Sequence, residues 1–119
     1  MKALVIDDNE DITEAVSFYL QSNDISCKVI NNGTEGLETM KKEHFDVVFL
    51  DLAMPEFSGY DILKVLKSED LLKTINIVIF TASSVSDKDI EEFLALGAKA
   101  ILRKPLSIQE LQDTIDKFR

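Results

Sequence analysis

Asp7, Asp8, Asp51, Thr81 and Lys104 are far apart in the sequence, yet each stands at or just past the end of a short apolar run. Asp7-Asp8 follow Ala3–Ile6. Asp51 follows Val47–Leu50. Thr81-Ala82 follow Ile75–Phe80, and Lys104-Pro105 come just after Ala100–Leu102. Taken singly, these residues are unremarkable: acids cap helix N-termini, and a lone lysine is usually a solvated surface group. Brought to one place they define a chemistry. Three carboxylates held close together repel, and their ionisation is disfavoured unless a cation joins them. A hard divalent ion with oxygen ligands answers that need, and Mg²⁺ suits a site with few protein ligands and several waters. Such an ion leaves a position for a phosphoryl oxygen and neutralises charge in an in-line transfer. A carboxylate can be the nucleophile, forming an aspartyl phosphate. Lys104 would then pair with one phosphoryl oxygen and Thr81 would hydrogen-bond another, while the small Ala82 leaves room for a donor.

Convergence depends on the elements that carry these residues. The runs are rich in Val, Ile and Phe, and the first three barely alternate, which is how a strand buried on both faces reads. A fifth run, Ile25–Ile30, alternates Ile25, Cys27 and Val29 with Ser26 and Lys28, as a strand nearer the sheet edge does. Between the runs lie helical stripes: Ile12, Ala15, Val16, Tyr19 and Leu20; Ile62, Leu63 and Leu66; Ile90, Phe93 and Leu94, ending near Gly97; and Ile108, Leu111, Ile115 and Phe118. Ser107 with Glu110, and Ser86 with Asp89, read as helix starts. The segment Thr34–Lys42 is the weakest helix because of Gly36. The order is β-α five times, so the sequence predicts a doubly wound α/β domain over residues 1–119, with a parallel sheet and helices on both faces. Ligands of such sheets bind beyond the carboxyl ends of the strands, where the strand order reverses.

Composition narrows the function classes. A net charge of −9 over 119 residues repels a phosphate-rich polymer, which argues against direct nucleic-acid binding. No apolar run approaches the roughly 20 residues of a membrane span. With one cysteine, Cys27, the chain has no internal disulfide, which fits a reducing cytoplasm. The sole histidine, His44, is expected in a solvated loop, and Cys27 as a small core residue. No Gly-rich phosphate cradle and no Cys/His cluster is present.

The set Asp7-Asp8, Asp51 within Phe49-Leu50-Asp51-Leu52-Ala53-Met54-Pro55, then Gly59, Thr81-Ala82 and Lys104-Pro105 resembles the receiver domain of two-component response regulators, in the layout of stand-alone chemotaxis-type regulators. The resemblance covers essentially the whole chain. It implies a flavodoxin-like (βα)5 fold with strand order 2-1-3-4-5, and phosphorylation of Asp51 by a histidine kinase or histidine phosphotransfer protein. It further implies Mg²⁺, replaceable by Mn²⁺, held by Asp8, Asp51 and the backbone carbonyl of Ala53, with Asp7 helping through water. Lys104 would contact the phosphoryl group, its bond to Pro105 would be cis, and Thr81 would be the switch hydroxyl. The signal would reach a downstream protein through the face of the fourth helix, fifth strand and fifth helix. The chain would be a monomer or a phosphorylation-dependent homodimer, and not a turnover enzyme. Ile101 departs from the family's usual aromatic residue three positions before the lysine, so the output is expected to lean on Thr81 and the fourth helix. Ala53 and Ser83 occupy the positions that tune hydrolysis, and Ala53 cannot orient a water, so a moderately long-lived phosphoryl group is expected. Three other readings are weaker. An aspartyl-phosphate phosphatase or phosphomutase needs an acid where Ala53 stands. A flavin phosphate would be repelled by the acidic rim. A receiver working without phosphate does not need the intact set of five.

Overall fold

A computed structural model describes residues 1–82 and 84–119. The elements alternate throughout: β1 (Lys2–Ile6), α1 (Glu10–Ser22), β2 (Ser26–Ile30), α2 (Gly33–Lys42), β3 (Val47–Asp51), α3 (Gly59–Ser68), β4 (Ile77–Ala82), α4 (Asp87–Leu96), β5 (Ala100–Lys104) and α5 (Ile108–Asp116). The strands form one parallel sheet in the order β2-β1-β3-β4-β5. This is the doubly wound flavodoxin-like arrangement, and its order reverses between β1 and β3.

Strand alternation divides the core into two layers. Leu4, Ile6, Val48, Leu50, Ile77 and Ile79 face one side, where Met40 of α2, Ile62, Leu63 and Leu66 of α3, and Phe93 of α4 cover them. Ala3, Val5, Val47, Phe49, Val78 and Phe80 face the other, under Val16 and Leu20 of α1 and Leu111 and Ile115 of α5. Phe49 and Phe80 stack with their ring centroids 5.2 Å apart. Because both faces are covered, β1, β3 and β4 consist almost wholly of buried residues, the physical origin of their unbroken apolar runs. The edge strand β2 keeps Ser26 and Lys28 exposed, in the alternation its sequence shows.

Several strand limits differ from the sequence reading. The run beginning at Ile75 enters the sheet only at Ile77, because the Ile75 amide closes a turn on the Leu71 carbonyl (3.2 Å). At the other end, β4 and β5 continue through Thr81-Ala82 and Arg103-Lys104, which pair with one another in register. Thr81 and Lys104 are therefore held by the sheet ladder rather than by loops.

The helices start on side-chain caps. Asn9 accepts from the Asp11 and Ile12 amides, Asn32 from Glu35, Ser86 from Asp89 and Ser107 from Glu110. Ser58 and Asp61 form a reciprocal capping box at the start of α3. Gly36 does not stop α2. Its missing side chain lets the helix lie against β1, since a Cβ there would come within 2.8 Å of the Ile6 side chain. Gly59 is tighter still: a Cβ would sit 2.2 Å from the Asp51 carbonyl oxygen and 2.9 Å from Leu52 Cα. The first turn of α3 is thus seated directly on the end of β3. Gly59→Ala is expected to lower unfolding stability by on the order of 2–4 kcal/mol, measured by urea denaturation. A variant as stable as the parent would contradict this packing.

Candidate functional site

The reversal between β1 and β3 leaves a crevice at the carboxyl ends of the strands, and Asp7, Asp51 and Lys104 meet there. Asp7 directly follows β1 and is fully buried, and Asp51 ends β3 and is 4% exposed. Lys104 ends β5 and extends its ammonium across to both carboxylates, donating to Asp7 Oδ2 at 2.9 Å and to Asp51 Oδ1 at 3.2 Å. The other oxygen of Asp7, Oδ1, accepts the Asn9 amide at 2.9 Å. Asp8, the next residue, is exposed at the mouth. Asp7, Asp8 and Asp51 each offer a carboxylate oxygen, and these oxygens lie within 4.8 Å of one another.

The electrostatics follow from this crowding. Burial and the neighbouring Asp7 charge push the Asp51 carboxyl above its ordinary range, and Lys104 offsets only part of the rise. Burial also works against the Lys104 charge, but its bonds to Asp7 and its attraction to Asp51 outweigh that and raise its pKa. Lys104 is therefore held as an ammonium, one positive charge among three carboxylates. The donor set consists of hard oxygen atoms with excess negative charge, and it fits a small divalent cation.

Thr81 lies beside this cluster in the adjoining strand. It is 1% exposed, and its hydroxyl has no hydrogen-bond partner among the described residues. A buried hydroxyl left unpaired costs about 1–3 kcal/mol. Ala82 is exposed, and Ala53 is an exposed residue just beyond β3 whose amide approaches Asp51 Oδ1 at 3.4 Å. The Lys104–Pro105 peptide bond is cis. Ile101 packs against the α3–α4 side of the core rather than into the crevice. Ser83 lies outside the described residues. His44 sits in the loop before β3, its side chain 80% exposed and facing Asp46, away from the crevice. Cys27 is half-buried on β2, where burial pushes its thiol pKa up against a hydrogen bond with Ser17.

Asn31 escaped the sequence reading. Just past β2, its amide donates to the Asp7 backbone carbonyl at 2.8 Å and to Thr13 Oγ1 at 3.2 Å, pinning the turn that carries Asp7 and Asp8. The available signal was positional, a polar residue at a strand end on the same rim.

Fold and crevice together define a doubly wound α/β domain with an acidic, lysine-bridged site at its switch point. A family model described as the response regulator receiver domain matches residues 3–116, and the chain belongs to that family. The chain is 33% identical over 108 residues to the response regulator SaeR of Staphylococcus epidermidis, covering 91% of this chain and 45% of SaeR. It is 31% identical over 121 residues to hybrid signal transduction histidine kinase A of Dictyostelium discoideum, covering 98% of this chain and 6% of that protein. The chain thus spans less than half the length of these curated relatives. Among solved structures it is similar to the receiver domain of Francisella response regulator 1452, with TM-score 0.89, 30% identity and coverage of 98% of this chain and 94% of that one. It is also similar to the Vibrio cholerae chemotaxis protein CheY4, with TM-score 0.87, 28% identity and coverage of 99% and 98%.

The raised Asp51 carboxyl carries a stability consequence. An acid whose ionisation is disfavoured by folding costs stability as pH rises above its unfolded value. Asp51→Asn removes that cost and leaves Lys104 its bond to Asp7. In metal-free buffer the variant is expected to melt on the order of 5 °C higher at neutral pH, with the difference closing as pH falls toward 3.8. Thermal unfolding followed by circular dichroism across that range checks it. A variant less stable at neutral pH would contradict the assignment.

Proposed function

We propose that this chain is a phosphorylation-operated switch in which Asp51 accepts a phosphoryl group from a phosphohistidine of a sensor histidine kinase or a histidine phosphotransfer protein. The observation that carries the reading is the Lys104 ammonium bridging Asp7 and Asp51 at the switch-point crevice. The family membership supports it, as do relatives described as response regulators and hybrid kinases.

Asp51 is ionised when it reacts. Its carboxylate oxygen attacks phosphorus in line, the donor's phosphorus–nitrogen bond breaks, and the departing imidazole takes up a proton. Asp8, Asp51 and the Ala53 carbonyl are the residues that would hold Mg²⁺ or Mn²⁺, with Asp7 helping through water. When bound, the cation would offset the negative charge that gathers as the phosphoryl group is transferred. Lys104 exchanges its bond to Asp51 for one to a phosphoryl oxygen and remains anchored on Asp7. Thr81, whose buried hydroxyl has no partner among the described residues, gains an acceptor in the phosphoryl group and moves toward it. That movement pulls the β4–α4 connection and shifts the α4-β5-α5 face between two arrangements that a downstream protein distinguishes.

In this reading the chain modifies itself and does not turn over a substrate. It works in the cytoplasm as a monomer or a phosphorylation-dependent homodimer, and binds neither nucleic acid nor membrane directly. Among the described residues no helix is long and apolar enough to cross a membrane. A phosphatase reading finds no general acid, because alanine stands two residues after Asp51.

Intact-mass measurement after incubation with acetyl phosphate or phosphoramidate tests the proposal. The expected result is one added phosphoryl group that requires both Mg²⁺ and Asp51 and is absent in Asp51→Asn. With no side chain at Ala53 to orient a water, the group should persist for minutes after the donor is removed. Absence of an adduct together with failure to bind beryllofluoride would overturn the proposal, and loss within seconds would overturn the lifetime.

A further inference from the structure

Arg103 stands one residue before Lys104 and pairs in register with Thr81 across the β4–β5 ladder. By alternation it lies on the same sheet face as Ile101, the side covered by α3 and α4. Its guanidinium donates from Nη1 to the Val85 carbonyl oxygen at 2.8 Å and from Nη2 to Asp87 Oδ1 at 3.1 Å. Asp87 is the first residue of α4. Val85 lies in the connection that leaves Thr81-Ala82; its amide donates back to the Ala82 carbonyl at 3.2 Å, and its side chain packs on the same core layer as Ile101. Arg103 therefore clasps both the connection that follows Thr81 and the start of the helix beyond it. Its own Cα is fixed in the sheet.

We propose that Arg103 is a positioning residue that holds the β4–α4 connection in its resting arrangement, so that moving Thr81 toward a phosphoryl group has to detach the clasp. The inference rests on the phosphoacceptor reading of Asp51 and adds to it the contact that sets the resting equilibrium. Physically, the connection is tied at one end to Thr81 and at the other to Asp87. Displacement toward Asp51 draws Val85 and Asp87 away from a guanidinium whose backbone cannot follow. With Ile101 in the neighbouring inward position, no ring is present there to rotate and fill the space behind Thr81. The resistance at this point instead includes the charge-assisted bonds from Arg103 to Val85 and Asp87. A ligand that binds only the displaced state has its apparent affinity reduced by the fraction of molecules in that state. Loosening the clasp raises that fraction without touching the site.

Calorimetric titration with beryllofluoride, a phosphoryl mimic, at saturating Mg²⁺ tests this on the full chain. Arg103→Met keeps the apolar stem and removes the bonds to Val85 and Asp87. It is expected to bind beryllofluoride about fivefold more tightly, the scale of a modest coupling, with unchanged affinity for Mg²⁺ alone. Arg103→Lys, whose single ammonium cannot reproduce the fork, should fall between Met and the parent. Asp87→Asn removes only the exposed ion pair, should shift affinity in the same direction, and keeps the test readable if the Met variant does not fold. Beryllofluoride affinity equal to or weaker than the parent's in folded variants would overturn the inference while leaving the phosphoacceptor reading intact. A parent protein that binds no beryllofluoride would overturn both.

Discussion

The organisation of this domain turns on two carboxylates, Asp7 and Asp51, placed at the ends of adjacent buried strands and bridged by the Lys104 ammonium. Neither acid is free to turn into solvent: Asp7 is fully enclosed and Asp51 is almost so. Burial first, and then the Asp7 charge that Lys104 offsets only in part, make Asp51 resist ionisation. In a structural ion pair this imbalance would be a defect. Here it creates a demand for positive charge. In the proposed function the same imbalance makes the site sensitive to phosphorylation of Asp51, which would alter both the charge that Lys104 faces and the bonds open to it.

The rest of the fold keeps those three groups in place. Parallel pairing of β1, β3, β4 and β5 in fixed register brings all the strand ends to one rim. The two apolar layers hold that register, because a slip of one residue would turn each core side chain to the wrong face. Behind Asp51, Gly59 lets the capped first turn of α3 press on the end of β3. Behind Asp7, Asn31 and Asn9 pin the β1–α1 turn. The side facing α4 is fastened more lightly: the buried Thr81 hydroxyl has no partner among the described residues, and bonds from Arg103 reach to Val85 and Asp87. Rigid support under the carboxylates and a lighter fastening beside Thr81 are what the proposed function needs of a part that binds and a part that responds.

Most of this was readable in the residues, for physical reasons that also explain the failures. Strands covered on both faces leave unbroken apolar runs, so β1, β3 and β4 and their terminal residues stood out. The helix stripes were visible because each helix covers only one face of the sheet. Ile75 misled because a β-branched residue in a turn looks like strand; a turn bond to Leu71, not propensity, decides its place. Gly36 made α2 read as the weakest helix because its cost is local, whereas its value lies in contact with Ile6 on a distant strand. Asn31 and Arg103 were overlooked for a related reason. A polar residue at a strand end and an arginine beside a lysine look like ordinary surface, and only folding places them on the Asp7 carbonyl and the Val85 carbonyl.

The charge imbalance at the strand ends can be measured without any partner protein. Thermal unfolding should be followed as Mg²⁺ is added to the parent protein, to Asp8→Asn and to Asp51→Asn, with Ca²⁺ and raised NaCl as controls for ion size and screening. A cation that binds only the folded state raises the melting temperature in proportion to the logarithm of its concentration once the site is saturated. The account requires such a rise for the parent at millimolar Mg²⁺ and a rise that is lost or much reduced in both variants. A parent indifferent to Mg²⁺, or variants that respond as the parent does, would contradict the claim that these carboxylates form one cation-demanding site.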